Sequence, residues 1–143
     1  MTYWIKINYD RNTYVIDLER IGAFCRWPNG KLSFWLPDGC FPIFIHSKTD
    51  PDTYQVVSNY LSKIVSVNNS QYGYWVKIDY DRNEYIINLN CVSAFCRQPS
   101  SGRISFWLPN GDKQPIILNP QSDRESYHLV EDYIQQKIGL SWD

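Results

Sequence analysis

Apolar and polar residues alternate along residues 3–45, which predicts a series of short strands. Residues 3–9 begin the pattern, with apolar or aromatic side chains at the odd positions. Turn residues separate the runs, as in Asp10-Arg11-Asn12, where Asn12 can take the left-handed conformation. Asp38-Gly39 is typical of a two-residue hairpin turn. The pattern therefore predicts about five antiparallel strands in this part of the chain.

A helix is predicted to follow these strands. Asp50 suits the N-cap and Pro51 the first helical position. Spacings of three and four residues then form one apolar stripe, made of Tyr54, Val57, Leu61 and Ile64. A second helix is predicted near the end of the chain, where Ser122-Asp123-Arg124-Glu125 resembles a capping box. The predicted fold class is therefore α+β, with strands preceding each helix.

The same succession of residues occurs twice. Residues 3–12 (YWIKINYDRN) correspond to residues 74–83 (YWVKIDYDRN) at a distance of 71 positions, and AFCR recurs at 23–26 and 94–97. SFWLP recurs at 33–37 and 105–109, and the added residues fall in turns, where insertions disturb no packed face. We interpret the chain as an internal tandem duplication. Its two units span residues 1–66 and 73–143, joined by a linker at 67–72, and each is a β-meander of about five strands followed by one helix.

Each predicted meander has a second apolar face, opposite the one that packs on the helix. Large aromatic side chains give this face an area that approaches roughly 600 Å². Monomers rarely expose a continuous apolar patch of that size, so something is expected to cover it. The residues of this second face are Trp4, Val15, Phe24, Trp35 and Phe44, with their counterparts Trp75, Ile86, Phe95, Trp107 and Ile117.

Three arrangements would cover the second face. The preferred one packs the two units sheet against sheet, related by a pseudo-two-fold axis, with the helices outside. In the second, each unit closes into a small barrel plugged by its helix, and resembles a reduced pleckstrin-homology-like domain. That resemblance rests on strand number and helix position and implies no function. In the third, a second identical chain or a different protein covers the face.

Composition narrows the classes of function. The chain has 143 residues, of which 43% are hydrophobic, so it can bury a core. Its 14 basic and 15 acidic residues nearly balance, which disfavours nucleic acid as a partner. The first residues do not resemble a signal peptide, and no apolar run approaches the roughly 20 residues that span a bilayer. We therefore expect a cytoplasmic protein, without a membrane partner, that is a monomer or a homodimer.

No constellation of side chains predicts catalysis, a metal or a cofactor. The four cysteines form no C-x-x-C pair, and the two histidines lie in unrelated contexts. A catalytic pair of Cys40 with His46 has little support. Oxygen ligands near Asp38 and Asn110 fall short of a calcium site. Cys25 and Cys96 lie in matching apolar strands, so both are expected to be buried.

The predicted function is a non-enzymatic protein–protein interaction or regulatory module. Protein interfaces favour Trp, Tyr and Arg, and the chain has 6 Trp and 11 Tyr. The alternative is binding of single-stranded nucleic acid or a small ligand, because basic and aromatic side chains share a strand face; a small enzyme ranks third. Arg11 and Arg82 are included among the candidate binding residues because they are the basic residues of two identical loops that are expected to be exposed. The candidate binding residues are Trp4, Lys6, Arg11, Arg26, Trp35, Trp75, Lys77, Arg82, Arg97 and Trp107.

Overall fold

A computed structural model of the chain describes residues 2–36, 42–66, 73–109 and 114–142. It has the predicted α+β class, with antiparallel sheets and two helices. The N-terminal half contains β1 (Trp4–Tyr9), β2 (Asn12–Asp17), β3 (Ala23–Arg26), β4 (Lys31–Trp35), β5 (Pro42–His46) and α1 (Pro51–Ser66). The C-terminal half contains β6 (Trp75–Tyr80), β7 (Asn83–Asn88), β8 (Phe95–Arg97), β9 (Ile104–Phe106), β10 (Ile116–Leu118) and α2 (Arg124–Asp132).

The strands form three antiparallel sheets. The central sheet has five strands in the order β5-β4-β3-β7-β6, so it contains strands from both halves. The hairpin β1-β2 is a separate sheet, and β10-β9-β8 is the third. The halves are thus joined by the pairing of β3 with β7. This pairing joins the meander of one half to the hairpin of the other.

Two hairpins, β1-β2 and β6-β7, have the same geometry. Each has a two-residue turn in which both residues have positive φ: 50° and 69° at Asp10 and Arg11, and 51° and 68° at Asp81 and Arg82. Such a turn matches the right-handed twist of the flanking strands. The sequence prediction that Asn12 takes the left-handed conformation is therefore wrong, since Asn12 is the first residue of β2.

The side chain that ends each hairpin closes it with equivalent hydrogen bonds. Asp17 Oδ1 accepts a hydrogen bond from the backbone N–H of Tyr3 at 2.8 Å. Asn88 Oδ1 accepts one from Tyr74 N–H at 3.0 Å. Short 3₁₀ turns follow, at Leu18–Arg20 and Leu89–Cys91, and lead into β3 and toward β8. Both halves therefore direct the chain from hairpin to meander in the same way.

The interior consists of two apolar clusters, and each takes residues from both halves. The first surrounds the buried face of α1 and includes Ile86 of β7. The second surrounds α2 and includes Ala23 of β3. Phe24 was predicted to lie on the second face, away from the helix, and this is wrong because it packs with Phe34 on the face that contacts α1. The two residues are opposite each other on β3 and β4 and lie in the same cluster.

Both helices lie where the sequence predicts them, and the first follows its predicted apolar stripe. α1 begins at Pro51 as expected, and Val57, Leu61 and Ile64 are buried. α2 begins after Asp123, whose carboxylate accepts a hydrogen bond from the Asn119 N–H rather than capping the helix. The predicted capping box at 122–125 is thus wrong. A π-helical turn at Tyr133–Ile138 continues the second helix.

Several predictions concern how the halves are arranged. The pseudo-two-fold packing is not confirmed, because β3 pairs with β7 while the reciprocal pairing of β8 with β2 does not occur among the described residues. The linker at 67–72 and the turns at Asp38-Gly39 and Asn110-Gly111 lie outside the described residues, as does Cys40. Within the described ranges, no helix has both the length and the hydropathy to cross a membrane.

Candidate interaction surface

The junction between β3 and β7 shows how one hairpin packs on one meander. Ala23 lies opposite Ile87, Phe24 opposite Ile86, and Cys25 opposite Tyr85. The pairing continues past the strand ends, where the N–H of Asn88 donates to the carbonyl oxygen of Gly22 at 2.9 Å. Backbone hydrogen bonds thus fix the register of the two halves. We call this pairing of β3 with β7 the closed junction.

Aromatic and aliphatic side chains fill one face of the closed junction. The Trp75 ring lies 6.1 Å from that of Phe24, centroid to centroid, and the Phe24 ring lies 5.6 Å from that of Phe34. Ile86 is 1% exposed at the centre of this face. Residues of the C-terminal half therefore complete the core of the N-terminal half. The stabilisation comes mainly from apolar area removed from water.

An ionic cluster lies at the end of the closed junction. Arg26 Nη1 lies 3.2 Å from Glu84 Oε1, and Lys77 Nζ lies 3.5 Å from Glu84 Oε2. One carboxylate therefore pairs with two of the basic residues predicted to bind a ligand. Glu84 was not among the predicted site residues. The sequence feature that distinguishes Glu84 is a difference between the halves, because the corresponding residue of the first half is Thr13.

The hairpin β1-β2 has an exposed surface at the positions that β6-β7 buries in the closed junction. Val15 corresponds to Ile86 and is 65% exposed. Trp4 corresponds to Trp75 and is 57% exposed. Among the described residues, β2 pairs only with β1, so its outer edge has no strand partner. We call the surface formed by Trp4, Val15 and the outer edge of β2 the hairpin surface.

The edge of β8 that corresponds to the β7-paired edge of β3 has no partner among the described strands. Of the described strands, only β9 pairs with β8. Ala94 and Cys96 are exposed, although their counterparts Ala23 and Cys25 are buried. The prediction that Cys96 is buried is therefore wrong, because no second strand of the described part of the chain lies beside the outer edge of β8. Phe95 is half-buried.

An apolar cleft of about 300 Å³ adjoins this open strand. Phe95, Ile134 and Trp142 are among its lining residues. The Arg97 guanidinium lies 5.9 Å from the centre of the Trp142 ring, which places one predicted binding residue beside the cleft. We call the open edge of β8 with this cleft the β8 surface. Phe95, which lines the cleft, corresponds in sequence to Phe24, the residue beside Trp75.

The remaining predicted binding residues are dispersed. Trp35 packs against the second apolar cluster, whereas Trp107 is 43% exposed. Lys6 is exposed on β1, and Arg11 is exposed in the β1-β2 turn. Of the predicted binding residues, the structure brings together Arg26 with Lys77 at Glu84, and Arg26 with Arg82 in one cleft. It does not bring the ten residues into one site.

A second cleft, of about 440 Å³, lies beside the ionic cluster. Its lining includes Arg26, Arg82, Trp27 and Glu84. Lys31 Nζ lies 4.2 Å from the centre of the Trp27 ring. Arg26 Nε is buried and has no hydrogen-bond partner among the described residues. Sequence reasoning missed Trp27, because the corresponding residue of the second half is Gln98.

Two titratable groups face each other within the closed junction. Burial raises the pKa of the Cys25 thiol from 9.0 to about 11, and a hydrogen bond with Tyr85 partly opposes this. Burial is also the main cause that raises the pKa of Tyr85, from 10.0 to about 12. A thiol that holds its proton this firmly is a poor nucleophile at neutral pH. Cys25 therefore behaves as a buried apolar side chain.

The described residues contain no group of three or more His, Cys, Asp and Glu side chains arranged to hold a metal ion. Comparison with models of known protein families, with curated proteins and with solved structures gives no match. The function is therefore inferred from the geometry of the hairpin surface and the β8 surface.

Proposed function

We propose that the chain is a non-enzymatic protein-interaction module that binds its partner by strand pairing at the hairpin surface or the β8 surface. The observation that carries this proposal is the contrast between Val15 and Ile86, which occupy corresponding positions. Ile86 is 1% exposed because it lies beside Phe24 of β3 in the first apolar cluster, whereas Val15 is 65% exposed. An exposed edge that carries apolar side chains is a template for an added strand.

The electrostatics favour a protein over a nucleic acid as the partner. Arg26 and Lys77, which share a strand face with Trp75, both pair with the Glu84 carboxylate. The formal net charge of −1 supplies no general attraction for polyanions. Strand pairing needs no net charge, because backbone hydrogen bonds and apolar contacts supply the affinity.

The sequence correspondence supports an origin by tandem duplication. The register of β1 with β2, where Ile5 lies opposite Ile16, is reproduced in β6 and β7, where Val76 lies opposite Ile87. Duplication of a hairpin and a meander yields one closed junction and leaves one hairpin and one meander open. A cytoplasmic setting fits this proposal, since Cys91 and Cys96 are free and exposed.

Affinity capture from a native lysate tests the proposed function. The bait is used as wild type, as Val15→Lys and as Ala94→Lys, because a charged side chain at either surface opposes strand pairing. Ile117→Lys is the matched control, since Ile117 is 38% exposed on a strand, β10, that contributes to neither surface. We expect one of the two surface variants to lose the bound protein and the control to retain it. Equal capture by all four baits would contradict the proposal, as would binding to an oligonucleotide that weakens steeply with salt.

A further inference from the structure

We infer that the chain binds a second copy of itself head to tail, with β8 of one copy pairing with β2 of the next. This inference rests on the proposed function and names the partner. The argument comes from the closed junction, in which β3 pairs with β7. β8 is the counterpart of β3, and β2 is the counterpart of β7. The closed junction therefore serves as a template for an intermolecular one.

The template fixes the register of the intermolecular pairing. Subtracting 71 positions from the residues of β7, and adding 71 to those of β3, converts each closed pair into an open one. Residues of β8 in one copy then lie opposite residues of β2 in the second copy. The four pairs, with the second copy's residue given last, are Ala94 with Ile16, Phe95 with Val15, Cys96 with Tyr14, and Arg97 with Thr13. Of these, Ala94, Cys96, Val15 and Thr13 are exposed in the single chain.

The apolar contacts of the closed junction have counterparts in the open one. Trp75 lies 6.1 Å from Phe24, and the position equivalent to Trp75 beside Phe95 adjoins the cleft of about 300 Å³. Trp4 of the second copy is the residue that the register brings to this cleft. Val15 of the second copy would cover Phe95 as Ile86 covers Phe24. Pairing would thus remove two of the most exposed large apolar side chains from water.

Two differences make the open junction weaker than the closed one. Thr13 replaces Glu84, so Arg97 gains no carboxylate partner. Ser93 replaces Gly22, where a Cβ in the closed junction would lie 3.0 Å from Cys91 Cβ and 2.7 Å from Pro109 Cγ. In the open junction the Ser93 side chain would correspondingly crowd Arg20 of the second copy, the counterpart of Cys91. Copies therefore associate reversibly and in a concentration-dependent way, whereas the closed junction lies within one chain and does not depend on concentration. Restoring the closed-junction residues, with Thr13→Glu or Ser93→Gly, is expected to strengthen association.

The interface is heterologous, because the two surfaces that meet are different. Each copy that uses its β8 surface still has its hairpin surface open, and the reverse also holds. A variant blocked at one surface is therefore unable to associate with itself but is still able to bind a variant blocked at the other. This complementation separates head-to-tail binding from any symmetric contact.

Sedimentation velocity of the purified full chain tests the inference. The average mass of the wild type is expected to rise with concentration, while Val15→Lys and Ala94→Lys each raise the dissociation constant at least about tenfold. An equimolar mixture of these two variants should form a dimer with one chain of each. Ile117→Lys should behave as the wild type does. Thr13→Glu should tighten association roughly two- to fivefold, the range expected for one exposed ion pair.

A cross-link then tests the register. Cys40, Cys91 and Cys96 are replaced by Ser, and one variant also carries Thr13→Cys while the other carries Arg97→Cys. Mild oxidation of the mixture should yield a disulfide between these two positions, which lie opposite each other in the intermolecular pair. Asn8→Cys replaces Thr13→Cys as the control, because Asn8 lies on β1, away from the outer edge of β2.

Three results would overturn the inference: a monomeric wild type together with a monomeric Thr13→Glu/Ser93→Gly variant up to about 1 mM, a mixture that forms no mixed dimer, or a cross-link that is no faster than its control. If the wild type and the Thr13→Glu/Ser93→Gly variant both stay monomeric while lysate capture of another protein depends on Val15 or Ala94, head-to-tail binding fails and the proposed function stands. If neither experiment depends on these residues, both proposals fail.

Discussion

The Trp75 ring lies 6.1 Å from the Phe24 ring, so an indole from the C-terminal half covers a phenyl group at the centre of the N-terminal half. We expect Trp75→Ala to lower the free energy of unfolding by about 2–4 kcal/mol, the range for large-to-small changes at packed sites. Trp4→Ala is the matched control and should cost less than about 1 kcal/mol, because Trp4 is 57% exposed. Urea unfolding at low protein concentration measures both. Equal losses would mean that Trp75 does not complete this core.

Trp35 and Trp107 occur in the same pentapeptide, yet they are expected to differ in their contribution to stability. Trp35 packs against the second apolar cluster, whereas Trp107 is 43% exposed. Trp35→Ala should therefore cost about 2–3 kcal/mol and Trp107→Ala about 1 kcal/mol or less. Thermal and urea unfolding of the two variants provide the comparison. A larger loss for Trp107→Ala would contradict the packing described here.

The turn residue Arg11 adopts a backbone conformation that favours glycine. Its φ is 69°, in the left-handed region where a Cβ is unfavourable. Arg11→Gly should raise the free energy of unfolding by about 0.5–1 kcal/mol, and Arg82→Gly, at φ 68°, should do the same. Arg103→Gly is the control: Arg103 is exposed and is not among the positive-φ residues, so glycine should not stabilise that position. The prediction fails if the turn variants are no more stable than this control.

Alkaline pH should destabilise the closed junction. The pKa of Cys25 rises from 9.0 to about 11 on folding, so the unfolded chain releases this proton at lower pH than the folded chain. The unfolded state then binds fewer protons, and the free energy of unfolding falls as pH rises from about 9 to about 11. The raised pKa of Tyr85 causes the same fall in the free energy of unfolding between pH 10.0 and about pH 12. Cys25 and Tyr85 therefore contribute most to stability below pH 9.

Replacing Cys25 isolates its share of this pH dependence. Urea midpoints measured from pH 8 to 11 should fall less steeply for Cys25→Ala than for the wild type. Cys96→Ala is the control at the corresponding, exposed position of β8. Parallel curves for Cys25→Ala and the wild type would show that the Cys25 thiol does not titrate differently in the folded and unfolded chains.

The local structure was predictable from the sequence because its signals are local. Alternation placed the strands of both hairpins, and Asp50-Pro51 located the start of α1. The burial of Phe24 was not predictable in the same way. Its neighbours Ala23 and Cys25 are buried as well, because β3 lies at the centre of a five-stranded sheet and both of its faces are covered. Alternation does not distinguish the two faces of such a strand.

The pairing of strands from different halves was also beyond the sequence pattern. The pattern shows which residues of a strand share a face, but not which strand lies next to it. Cys25 and Cys96 lie in the same tetrapeptide, AFCR, but β3 has neighbouring strands on both edges, whereas among the described strands β8 has β9 alone. A position at which the two halves differ indicates more about the pairing of the strands than the positions at which they agree. Glu84, which replaces Thr13, marks the end of the junction that is closed.

The pairing of β3 with β7 gives the molecule a direction. Among the described residues, one unpaired strand edge belongs to a hairpin, at β2, and the other to a meander, at β8, so the two edges are chemically distinct. If the two halves arose by tandem duplication, as proposed, insertion of a third hairpin–meander–helix unit would repeat the β3-β7 pairing at β8 and lengthen the molecule by one step.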